Sequence, residues 1–180
     1  MLKNNLQQQF EQGNVALFDF EQAYATKHDF LPANVTARTV DVSVLERCNK
    51  ETEELIATES AAFLQTSLDF FRKNEAEFLY VEAPMFSIVR IDSLAIEFDD
   101  MFKTYTALFG LKLQKKYEQA MRAHLDTIIP KRYSLSFDSA DGLWEVNTYL
   151  TPEDGKETLA QTIQNIYQFI FELIEAVEEA

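Results

Sequence analysis

Lys131-Arg132-Tyr133-Ser134-Leu135-Ser136-Phe137-Asp138-Ser139-Ala140-Asp141-Gly142-Leu143-Trp144-Glu145-Val146-Asn147-Thr148-Tyr149-Leu150, with the run that follows it to Ala180, decides the fold. Tyr133, Leu135 and Phe137 alternate with Ser134 and Ser136. Trp144, Val146, Thr148 and Leu150 alternate with Glu145, Asn147 and Tyr149. A period of two with polar residues on the off-beat predicts a strand pair, 132–150, with one buried face. Asp141-Gly142 supplies the turn, because glycine takes positive φ without steric cost. Thr151-Pro152-Glu153-Asp154 then predicts a helix start: a capping hydroxyl, a proline at the first helical position and two acids at the positive end of the dipole.

The helix predicted over 152–178 carries a stripe of Leu159, Ile163, Ile166, Ile170, Leu173, Ile174 and Val177. Tyr167, Phe169 and Phe171 widen it to an arc of about 200°, against the roughly 100° that a helix lying on one sheet needs. Such a helix must be covered from two directions, by its own chain or by a second molecule.

Working outward, Ser43-Val44-Leu45-Glu46 reads as a capping box. The spacing of Leu45, Cys48, Thr52, Leu55, Glu59, Ala62, Thr66 and Phe70 predicts a long helix over 43–73. A strand is expected over 77–83 and a return strand over 86–91. Leu94, Phe98, Met101, Phe102, Tyr105, Leu108 and Phe109 have helical spacing up to Gly110. A further helix carrying Leu113 to Ile128 stops at Pro130. Leu2, Leu6 and Phe10 suggest a short first helix within a less regular N-terminal extension, 1–40. The expected fold is α+β: an antiparallel sheet, built from the 132–150 hairpin and strands near 77–91, covered by helices in one domain over 1–180. In element order this resembles the acidic secretion-chaperone folds, which also alternate helix, strand group, helix, strand pair and helix. That resemblance implies a holding role toward another polypeptide.

The net charge of −14 argues against nucleic-acid binding, which draws its affinity from phosphate neutralisation. Charge is unevenly spread: Lys103 to Arg132 holds seven basic residues against two acids, a local +5 that leaves −19 elsewhere. Cys48, the only cysteine, excludes an intramolecular disulfide and suits a reducing compartment. No signal-peptide run opens the chain and no segment is long and apolar enough to span a bilayer, so a cytoplasmic location without membrane contact is expected.

Catalytic chemistry has little to stand on. His28 and His124 are the only histidines, and neither sits in a metal-ligand spacing. Cys48 reads as a buried, inert thiol. Asp92, Glu97, Asp99 and Asp100 read as solvated acids, and the chain contains no GxGxxG, P-loop, GxSxG or CxxC. No cofactor, metal or catalytic residue is expected. The function expected is a non-catalytic acidic interaction module, an adaptor, chaperone-like holder or inhibitor, for a basic or amphipathic partner. Phe169, Leu173, Glu172 and Glu175 are its candidate interface, for that partner or for a second copy. The alternative is a small-molecule binder or enzyme whose aromatic pocket, lined by Trp144, Tyr149, Tyr167 and Phe171, lies between the last helix and the hairpin.

Overall fold

The computed structural model describes residues 1–151 and 155–180. In chain order the elements are α1 (Leu2–Glu11), β1 (Ala16–Leu17), α2 (Asp19–Lys27), β2 (Thr36–Ala37), β3 (Val44–Asn49), β4 (Leu55–Thr58), α3 (Asp69–Lys73), β5 (Glu77–Glu82), β6 (Leu94–Asp99), β7 (Thr104–Leu111), α4 (Glu118–Ile128), β8 (Tyr133–Asp138), β9 (Leu143–Tyr149) and α5 (Leu159–Glu179). β3 to β9 form one antiparallel seven-stranded sheet in the order β4-β3-β5-β6-β7-β9-β8. α5 packs on it. The α+β class and the 132–150 hairpin stand as expected, with Gly142 at φ +67° in the turn. Asp138 closes that turn by accepting the Ala140 backbone N–H at 2.7 Å.

The expected helix over 43–73 is instead a hairpin, a short 3-10 turn (Ala61–Gln65) and the five-residue α3. Asn49 diverts the chain. Its Oδ1 accepts the backbone N–H groups of Glu51 and Thr52, at 2.8 and 3.1 Å, offering the backbone a turn in place of a helical ladder. Glu53 completes the reversal at φ +58°, and β3 then pairs with β5 along its whole length. The helix expected over Leu94–Phe109 is likewise two strands. Its pairs at spacing four, Leu94–Phe98 and Tyr105–Phe109, fit period two as well as period 3.6. The turn between them is set by Asp99, which accepts from the Met101 and Phe102 N–H groups, both at 2.9 Å.

Residues 86–91 are not a strand. Pro84 opens a 3-10 turn (Pro84–Ser87) that buries Met85 and Phe86, and β5 pairs directly with β6. The less regular segment, 1–40, holds α1, as Leu2, Leu6 and Phe10 suggest, together with α2 and the small parallel β1–β2 pair. The proposed helix start at Pro152-Glu153-Asp154 lies outside the described residues. Gly155, at φ +63°, is not helical, and the working cap is Thr158. Its hydroxyl accepts the Gln161 N–H at 3.2 Å, and the Gln161 side chain accepts the Thr158 N–H at 2.8 Å.

The wide apolar arc of α5 is covered by its own chain. One side meets the sheet; Tyr167 and Phe171 meet Phe18, Phe20 and Tyr24 of the N-terminal segment. A buried polar cluster fastens that second layer. Glu21 is fully buried and accepts three contacts: the Tyr167 hydroxyl at 2.5 Å, the Phe18 N–H at 2.8 Å, and Arg38 Nε as an ion pair at 3.0 Å. Burial pushes the Glu21 carboxyl above its usual range, and Arg38, Tyr167 and the Phe18 N–H pull the other way.

Because the native state holds the Glu21 proton longer than the unfolded chain does, this group's contribution is complete below about pH 4.5. It is lost as pH rises through the folded-state value. Tyr167→Phe removes one interaction that favours the charged form. We expect it to cost about 1.5–3 kcal/mol near neutral pH, the worth of a hydrogen bond to a charged group, with the loss narrowing toward pH 4.5. Denaturant unfolding of both proteins across that range checks this; a loss that does not vary with pH would mean that Glu21 is not ionised in the native state.

Candidate functional site

Two rows of residues, one position apart along each strand, show what the sheet presents on its two faces. Leu45, Val81, Leu94, Phe109, Val146 and Leu135 are successive cross-strand neighbours, and every one is buried. This row faces the helices. The next row is Glu46, Tyr80, Ala95, Leu108, Asn147 and Ser134, with Thr58 beyond Glu46 on the edge strand. It faces away from the helices and is half-buried or exposed throughout, with Leu108 48% exposed. Phe78 and Tyr149 extend the apolar part of this open face. Phe102, 62% exposed in the β6–β7 turn, lies against Tyr149 with ring centroids 6.0 Å apart.

Carboxylates frame this apolar strip. Glu46, Glu82, Glu97, Asp99 and Glu145 lie on or beside the same face, and none has an ion-pair partner among the described residues. Some acids elsewhere are matched, Asp69 with Arg72 and Lys73, Glu59 and Glu77 with Arg47, Glu175 and Glu179 with Lys27, while others, such as Glu51, Glu53 and Asp141, also form no ion pair among the described residues. Glu82 accepts the Tyr80 hydroxyl at 2.7 Å, which raises the Tyr80 pKa, so the apolar row and its acidic frame are joined. The two sheet edges differ. α4 reaches over β8, where Arg122 Nη2 donates to the Leu135 carbonyl at 3.1 Å. At the other edge β4 leaves Leu55 and Ile56 56% and 45% exposed.

The side chains singled out in the sequence fall in separate places. Trp144 is buried against Phe137, with centroids 5.0 Å apart. Tyr167 and Phe171 belong to the N-terminal layer. Only Tyr149 lines a cavity between α5 and the end of β9, about 200 Å³ in volume, together with Leu150, Asn165, Ile166 and Phe169. That volume is below the roughly 300–1,000 Å³ of ordinary small-molecule pockets. Among the interface residues, Phe169 is half-buried at this cavity, Leu173 is wholly buried within the chain, Glu172 accepts from Gln168 at 2.8 Å, and Glu175 takes Lys27 at 2.8 Å.

Cys48 lies in β3, buried, and its thiol pKa is raised by that burial and by Glu46, which leaves it inert. One cluster had no sequence signal, since its members are far apart in the chain: ligand atoms of His28, Glu175 and Glu179 lie within 4.8 Å of one another. Lys27 Nζ contacts both carboxylates, at 2.8 and 2.5 Å, and takes the place a cation would fill. The comparisons with known proteins add nothing: no protein-family model, curated protein or solved structure matches this chain.

The assignment of faces has a direct check. Leu108 and Phe109 are adjacent, one exposed and one 3% exposed. Leu108→Ser is expected to change unfolding free energy by no more than about 0.5 kcal/mol. Phe109→Ala should cost about 3–5 kcal/mol. Similar losses for both would show that the open face is covered.

Proposed function

We propose that the protein is a non-catalytic interaction module that holds a basic, amphipathic segment of another polypeptide on the open face of its sheet. One observation carries the reading: the Tyr80–Ala95–Leu108 row lies among five carboxylates that have no ion-pair partner among the described residues. An extended segment alternating apolar and cationic residues would set the former on that row and the latter against Glu97, Glu145 and Glu46. Desolvating such complementary charges steers association and selects partners more than it adds affinity. A second copy of this chain is a poorer occupant, because a two-fold contact through this face would set its acids against themselves. The described helices include none long and apolar enough to cross a membrane. A lone cysteine and an acidic surface accord with a cytoplasmic setting.

The test uses a designed peptide with alternating lysine and valine, its glutamate-for-lysine counterpart, and fluorescence anisotropy at low and moderate salt. Binding of the cationic peptide alone, weakened by salt and at least tenfold by Leu108→Lys in a protein of unchanged melting temperature, is the expected result. Equal binding to both peptides, or binding indifferent to Leu108→Lys, would refute the assignment to this face.

A further inference from the structure

A cluster of positive charge in this acidic chain is assembled from four separate stretches. Arg72 ends α3, Lys103 turns between β6 and β7, Arg132 precedes β8, and Lys156 precedes α5. All four line one open cleft of about 770 Å³, and none of the described residues lining it is acidic. Arg132 and Lys103 are the two ends of the +5 segment noted in the sequence, brought together because β7 and β8 both pair with β9.

The backbone around the cleft is tied down. The Gly155 carbonyl accepts the Ser67 hydroxyl at 2.7 Å and the Asp69 N–H at 3.0 Å, and the Glu157 carbonyl accepts the Leu68 N–H at 2.9 Å. These bonds fix the stretch bearing Lys156 against the start of α3, which bears Arg72. A Cβ on Gly155 would stand 2.9 Å from the Tyr105 hydroxyl, so glycine permits this closeness. Opposite, Leu150 donates its N–H to the Tyr105 carbonyl at 2.8 Å and accepts from Arg132 Nη2 at 3.4 Å. Phe98 and Tyr105 meet edge to face at 5.1 Å and give the cleft an apolar floor.

Cationic capacity remains after these contacts. Lys103 is 69% exposed and stands 3.9 Å from Glu75, beyond hydrogen-bond reach. Arg72, paired with Asp69, is 56% exposed. A guanidinium has five donors, so one ion pair or one carbonyl leaves most of its fork for a second acceptor.

We propose that this cleft binds a small molecule carrying two or more phosphate groups. Two guanidinium groups suit bidentate phosphate recognition, and the exposed Lys103 supplies a point charge beside them. The −14 of the whole chain restricts the ligand to a small one. Screening over roughly 8–10 Å lets a compact anion sense the cations of the cleft and the Asp69 carboxylate that Arg72 shares, whereas a nucleic acid would run onto the acidic surface beyond. The site meets the open sheet face only at the β6–β7 turn, where Lys103 follows Phe102; Arg72, Arg132 and Lys156 are not among the residues of that face.

Calorimetric titration of pyrophosphate and of ATP into the full chain, with inorganic phosphate and sulfate at matched ionic strength, tests it. Saturable binding of pyrophosphate is expected, weaker at higher salt and at least tenfold weaker in Lys103→Gln/Arg132→Gln. ATP binding tighter than pyrophosphate would identify a nucleotide, and equal affinity would identify the diphosphate group itself. Should the double variant fail to fold, Lys103→Gln alone, at an exposed position, is expected to weaken binding at least threefold. No saturable heat, sulfate binding as well as pyrophosphate, or affinity unchanged in these variants would overturn the proposal.

Discussion

A carboxylate with no access to water, Glu21, is the constraint on which the arrangement of layers depends. Burying it is costly unless it is matched, and three groups match it: a tyrosine hydroxyl from α5, a guanidinium from the β2 region and a backbone N–H at the start of α2. The three donors come from three segments, so the cluster forms only when the N-terminal segment is seated on α5. Aromatic packing of Phe18, Phe20 and Tyr24 on Tyr167 and Phe171 supplies the apolar area, and the carboxylate fixes where that area goes. An apolar patch alone could slide; a buried ion that must meet all its donors cannot.

With both sides of α5 occupied, the helices all serve the same face of the sheet. That leaves the other face to solvent, as antiparallel sheets tolerate. In the strip of Tyr80, Ala95 and Leu108 the first two are only half-buried, and half of Leu108 remains in water. Of the acids around it, Asp99 sets the β6–β7 turn and Glu82 holds the Tyr80 hydroxyl, yet none of the five forms an ion pair among the described residues. Features that do not serve folding are where function is to be sought, and here an apolar strip and unmatched charge coincide on one surface.

How far the sequence could be read depended on whether a pattern was local. The hairpin was legible because its alternation, its Asp-Gly turn and its pairing all lie within 20 residues. α4 and α5 were legible from long amphipathic runs. Leu94–Phe98 and Tyr105–Phe109 misled because spacing four is shared by strands and helices, and only the Asp99 turn between them decides. The false helix over 43–73 had the same origin, with Asn49 as the deciding residue. The excess apolar arc of α5 correctly signalled a second covering layer, although the two helices that provide it were not fully visible in a segment read as irregular. Trp144, Tyr167 and Phe171 are buried and Tyr149 half-buried, and period alone does not say that Tyr167 and Phe171 turn toward α2 while Tyr149 turns toward Phe102.

Charge was the least legible property, because net charge is a sum and function depends on its partition. A value of −14 describes neither the open face, where carboxylates gather beside apolar side chains, nor the cleft, where Arg72, Lys103, Arg132 and Lys156 converge. Both features arise from the same sheet: the pairing that puts Glu97 and Glu145 on one face also brings the β6–β7 turn and the start of β8 together at the cleft. Over a screening length of about 8–10 Å each surface is felt separately by what approaches it. An acidic protein can therefore present an acidic docking face and a basic cleft at once, and the strand register keeps them apart.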